Sequence, residues 1–107
     1  MATTYQIYLG RDVPLPQLGH EVEGVVTGDM LAEFLIDTVT RYFKSWTLTE
    51  GVSSWKGNAE DVFILTIIGD TYENALEIRA IANEYKKRFL QEAVLINSYR
   101  SDTLLIE

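Results

Sequence analysis

The sequence contains no cysteine. That excludes disulfides, thiolate nucleophiles and thiolate-bound metal. Histidine occurs once, at His20, and no serine or aspartate is placed beside it as a catalytic partner. Basic residues are scarce: 9 Lys and Arg stand against 16 Asp and Glu, a net charge of -7. The chain therefore lacks the cations that replace counterions on phosphates, and direct nucleic-acid binding is not expected. The acids are scattered without a long run, so they read as a solubilising surface rather than a DNA-mimicking one. No apolar run approaches the ~20 residues of a membrane helix. The N-terminus has no basic segment leading into an apolar one. The expectation is a soluble, cytoplasmic protein with no membrane partner.

What is present is a chain of 107 residues, 47% of them hydrophobic. That is one globular domain, residues 1–107, with a single small core. Thr4 to Leu9 alternates Tyr5, Ile7 and Leu9 with polar positions, the period of a strand. Arg11 to Gly28 carries Pro14, Pro16, Gly19, Gly24 and Gly28, which suits a long loop with a short extended piece at Glu21 to Val26. A helix from about Met30 to Phe43 comes next, capped by Asp29, with Leu31, Phe34, Leu35, Thr38 and Tyr42 inward. Trp46 and Leu48 mark a short second strand, and Gly51 opens a central loop. Asp61 to Gly69 is apolar at alternate positions on both faces: Phe63, Leu65 and Ile67 on one, Val62, Ile64 and Ile68 on the other. Asp70 and Glu73 have the offsets of a capping box for a second helix. Its inner stripe is Ala75, Ile78, Ala82, Tyr85 and Phe89, and Glu84 can pair with Arg88. Gln91 to Tyr99 is the last strand, and Thr103 to Ile106 an apolar tail.

The order β-α-β-β-α-β predicts an α+β, ferredoxin-like sandwich: a four-stranded antiparallel sheet with two helices on one face. The third strand would then show apolar side chains on the uncovered face. Each side chain of that size, fully buried, contributes roughly 1.5–3 kcal/mol. A second copy covering the face is the expected solution, giving a homo-oligomer, dimer or trimer or higher, with the tail as a swapped arm. The alternative cover is the Arg11 to Gly28 loop or the tail of the same chain.

The stretch Trp46 to Asp61 holds both tryptophans and two of the glycines, and it is the candidate site. Gly57 lets the backbone approach a ligand closely. Ser53, Ser54 and Lys56 supply groups for an anion, and Trp55 a face for a base. Glu50, at the start of the loop, and Arg11, at the end of the first strand, complete the ligand-binding candidates. No Walker or dinucleotide spacing accompanies them. The competing reading makes Trp55 a lid on the core and Lys56 a solvated cation. Glu21 with Glu23, and Glu60 with Asp61, are acidic pairs without recurring metal-ligand spacing. Gln91 and Glu92, where the second helix turns into the last strand, read as a structural tie to nearby backbone.

Three segments carry a resemblance: Y-Q-I-Y-L-G at Tyr5 to Gly10, T-L-T-E-G-V-S-S-W-K-G with its E-D-V-F-I-L-T-I continuation, and the closing Y-K-K-R-F-L-Q-E-A-V-L. Together they resemble a small bacterial and phage family of uncharacterised domains. That family closes with Phe, a linker residue, Gln-Glu, a small residue and Val-Leu, here Phe89, Gln91, Glu92, Ala93, Val94 and Leu95. Ser53-Ser54 departs from the family form, in which a glycine near the Trp is common. The resemblance implies no particular chemistry. The architecture is also similar to PII-like and CutA-like proteins, whose PII-like branch binds nucleotides between subunits near a long loop joining strands two and three. The expected function is thus a homo-oligomeric module holding a small anionic, nucleotide-like ligand in an intersubunit cleft, as a sensor or sequestering protein, without a cofactor or bound metal. An acidic protein-binding adaptor acting through the sheet face, and a small dimeric α+β hydrolase or lyase, are the alternatives.

Overall fold

The computed structural model describes residues 2–14 and 23–107. His20 and Glu21 lie outside the described residues. Strand β1 spans Ala2–Gly10, and a small ribbon pairs β2, Asp12–Pro14, with β3, Glu23–Val25. Helix α1, Gly28–Phe34, runs through a π-helical turn, Leu35–Val39, into a short α2, Thr40–Tyr42. Strands β4, Thr47–Trp55, and β5, Asn58–Gly69, precede helix α3, Tyr72–Arg88, and strand β6, Leu95–Ser101. The main sheet has the order β4-β5-β1-β6, and each neighbouring pair is antiparallel. This is an α+β fold compatible with a ferredoxin-like arrangement.

One sheet face carries the core. Ile7 and Leu9 of β1 and Phe63, Leu65 and Ile67 of β5 cluster with Leu31, Phe34, Leu35 and Val39 from the first helical segment and Ile78, Ile81, Tyr85 and Phe89 from the α3 side. Phe34, Tyr85 and Phe89 meet edge-on or tilted at 4.7–6.1 Å between ring centres and join the two helical segments. On the opposite face Val62 is buried, but Ile68 is 48% and Leu95 56% exposed.

The local chemistry refines several boundaries. Thr27, not Asp29, caps α1, its hydroxyl accepting from the Met30 N–H. The π turn adds a residue to the helical repeat and rotates the residues C-terminal to it, so Phe43 is buried where the regular period favours Tyr42, which is 39% exposed. Thr71, not Asp70, caps α3 in a reciprocal box with Asn74. Arg88 reaches across to Asp37 and Glu33 on the first helical segment, at 3.4 and 3.7 Å, rather than back to Glu84.

The largest departure concerns the central loop. There is none. β4 continues through Gly51, and Ser53 faces Glu60 across the ladder. Only Lys56 and Gly57 turn the chain, with φ of 50° and 82°. Two consecutive left-handed residues make the tight hairpin turn whose twist matches paired strands, and glycine at the second favours it. The long loop that PII-like proteins carry between strands two and three is a tight turn here.

Candidate functional site

At the end of the sheet where β1 finishes and β5 begins, the open face dips into a cleft of about 380 Å³. Alternation along the strands brings Tyr8, Glu60 and Val62 to it, with Ser53 of β4 opposite Glu60, while the neighbouring Ser54 borders the cleft at the strand edge. The connection from α3 to β6 supplies the far wall: Leu90, Gln91, Glu92, Ala93 and Val94. Gly10 is the floor. A Cβ there would stand 2.8 Å from Gln91 Oε1 and 2.9 Å from Glu60 Oε1, so the missing side chain is what allows both groups to close over the strand.

The floor is fixed from below. β6 begins at Leu95, opposite Tyr8, so the ladder on that edge of β1 stops short of Gly10. The Gly10 carbonyl instead accepts a 2.7 Å hydrogen bond from the Tyr85 hydroxyl, which rises from the core. Burial, then the nearby charge of Glu60, push the Tyr85 phenol well above its ordinary value, against a smaller pull from Arg11. Tyr85 is therefore a structural donor.

Two side chains aim polar atoms at the floor. The Gln91 amide nitrogen donates to the carbonyls of Asp12 and Phe89, both at 2.9 Å, which ties the β2 ribbon to the end of α3. The tie expected at Gln91–Glu92 is thus made by Gln91. Glu60 accepts from the Asp12 N–H at 3.4 Å. Desolvation raises the Glu60 carboxyl above its ordinary value; the Asp12 N–H opposes this and the Asp12 charge adds to it. At the rim, Lys56 Nζ lies 2.6 Å from Glu92 Oε1.

Of the sequence candidates, Ser53 and Ser54 line the cleft and Lys56 stands at its rim through Glu92. Gly57 serves the turn, with open space about its Cα. Trp55 ends β4, and its side chain lies outside the described residues. Glu50 and Arg11 are not part of the cleft. Glu50 pairs with Phe63, on the helix side of the sheet. Arg11 lays its guanidinium 4.7 Å from the Phe63 ring centre and donates to the Val26 carbonyl, which anchors the segment before α1. Glu60 and Asp61 point to opposite faces, as adjacent strand residues must, so they form no joint cation site. Tyr8 and the carbonyl end of Gln91 were not legible as site residues. Tyr8 reads as plain strand alternation, and Gln91 meets Gly10 only in three dimensions.

Residues 4–103 match the model of the family described as "Protein of unknown function (DUF3574)". The chain belongs to the DUF3574 family. No curated protein matches it. Among solved structures, it resembles a phage SAM lyase in complex with S-methyl-5'-thioadenosine, with a TM-score of 0.60 and 18% identity over 92% of this chain and 80% of that one. At that identity the likeness is one of fold. Among the described residues, no helix is long and apolar enough to cross a membrane.

Proposed function

We propose that this DUF3574 chain is a small-molecule-binding module of ferredoxin-like topology that holds a nucleoside-like ligand in the cleft over Gly10. The observation that carries the reading is the cleft itself. Its volume falls in the range of small-molecule sites, and its lining combines apolar walls with a few convergent polar groups. Tyr8 supplies a ring at one wall, and Glu60, Gln91 and the two serines supply hydrogen-bonding groups. The structural neighbour's bound thionucleoside supports the ligand class.

The charge of the lining changes one expectation. Asp12, Glu60 and Glu92 face the cleft, while Lys56 is engaged by Glu92 at the rim. Such a field favours a neutral or cationic ligand over an anionic one. A homo-oligomer formed through the open face, with Leu104, Leu105 and Ile106 of the exposed tail as an arm, would cover Ile68, Leu95 and Tyr99. The module then acts as a sensor or a sequestering protein.

The test is titration calorimetry with adenosine, S-methyl-5'-thioadenosine and S-adenosylmethionine. Saturable binding of at least one supports the reading. The absence of heat and of any thermal shift with all three, at millimolar ligand, refutes it. A specific observation also favours a second reading, a lyase. Glu60 is a partly desolvated carboxylate with a raised pKa, suited to accept a proton during an elimination. Release of S-methyl-5'-thioadenosine from S-adenosylmethionine by wild type but not by Glu60→Gln would establish it, and an unchanged substrate would dismiss it.

A further inference from the structure

Gln91 has only one polar atom left to offer. Its amide nitrogen carries two protons, and the two carbonyls of Asp12 and Phe89 take them. The flip of the amide is thereby decided: the nitrogen faces backbone acceptors and Oε1 faces the cleft floor. Among the described residues nothing donates to that oxygen. Beside it stands the Glu60 carboxylate, whose single protein donor among the described residues is the long Asp12 N–H contact. Both Gln91 Oε1 and Glu60 Oε1 lie within 3 Å of the point where a Gly10 side chain would begin. Two acceptors thus converge with no donor between them. Among the described residues no buried side-chain polar atom lacks a partner, so both oxygens are open to the cleft and within reach of a ligand's donors.

We propose that Glu60 and Gln91 form a diol clamp, two acceptors over Gly10 that take the adjacent hydroxyls of a ribose. The proposal rests on the nucleoside reading above and deepens it by assigning the sugar subsite. A carboxylate accepting from a ribose hydroxyl is a familiar device of nucleotide-binding folds. Here the fixed amide adds a second acceptor, so the pair reads two neighbouring donors rather than one. Tyr8 and Leu95, which face each other across the β1–β6 ladder, border the same floor and leave the base an apolar wall. Gly10 is part of the clamp because any side chain there would push both oxygens away.

The experiment is calorimetry on the full chain with adenosine, 2'-deoxyadenosine and 3'-deoxyadenosine, for wild type, Glu60→Met and Gln91→Met. Methionine keeps the length of each side chain and removes the acceptor. Wild type is expected to bind adenosine about ten-fold or more tightly than either deoxy compound, as sites built around a hydroxyl reject analogues lacking it. In each variant, discrimination against one of the two deoxy compounds should collapse to within about two-fold. Gln91→Met also loses the ties to Asp12 and Phe89; if it fails to fold, Glu60→Met, which leaves them intact, decides alone. Tight adenosine binding with no preference over either deoxy compound overturns the clamp and leaves the nucleoside reading standing. Discrimination that survives in the folded variants overturns it too, placing the hydroxyl contacts elsewhere. No adenosine binding by wild type overturns the clamp, and the nucleoside reading falls with it only when S-methyl-5'-thioadenosine and S-adenosylmethionine fail to bind as well.

Discussion

Replacing Tyr85 by Phe removes one oxygen from the centre of the molecule and tests how the site is built on the core. The Tyr85 side chain is fully buried, and its hydroxyl donates to the Gly10 carbonyl at 2.7 Å. That carbonyl lies beyond the end of the β1–β6 ladder, so no strand supplies a substitute donor. The ring contacts with Phe34 and Phe89, at 5.1 and 4.7 Å, remain in the variant. The loss is therefore the hydrogen bond plus a carbonyl left dry, which together cost about 1–3 kcal/mol. For a domain of this size each kcal/mol lowers Tm by roughly 4 °C or more. Thermal unfolding monitored by circular dichroism should show a drop of about 4–12 °C with an unchanged far-ultraviolet spectrum. A Tm within about 1 °C of wild type would refute the reasoning. It would mean that water or a shifted backbone satisfies Gly10 and that the cleft floor is not held from the core.

Other perturbations test the same geometry. Gly57→Ala places a side chain on a left-handed residue with φ of 82° and should destabilise by about 1–2 kcal/mol in denaturant unfolding. Lys56→Ala breaks an ion pair exposed on both sides (65% each) and should change stability by less than about 1 kcal/mol, read the same way. Glu60→Gln tests the raised carboxyl. Because the fold favours the protonated form, the stability tied to it is present below the ordinary carboxylate range and is lost as pH rises through the raised value. The variant should therefore gain Tm relative to wild type on going from acid to neutral pH, and a constant difference would count against the shift. Native mass spectrometry checks the homo-oligomer: a bare monomer at micromolar concentration would remove the arm and the covered face.

The hydrophobic pattern alone determined the four main strands, the two helical regions and their order. The strand apolar on both faces was legible as the one flanked on either side, and β5 does lie between β4 and β1. These features are local: strand and helix periods are set by backbone geometry and written into every few residues. The hairpin escaped the reading because Gly51 and Gly57 both look like loop punctuation. Only pairing with β5 decides that one continues a strand and the other makes a turn, since a ladder bond is a long-range contact. The π turn escaped for a similar reason, because burial of Phe43 rather than Tyr42 depends on what the helix packs against. Ser53, Ser54 and Lys56, singled out from the sequence, stand together at the cleft and its rim because the stretch is compact along the chain. The partnership of Glu60 with Gln91 was not. Thirty residues lie between them, and they converge only because Gly10, held from the core by Tyr85, leaves room above it. Composition and period determined which surfaces this protein has; the tertiary structure decided which acceptors share a floor, because that depends on distances between segments that no local pattern encodes.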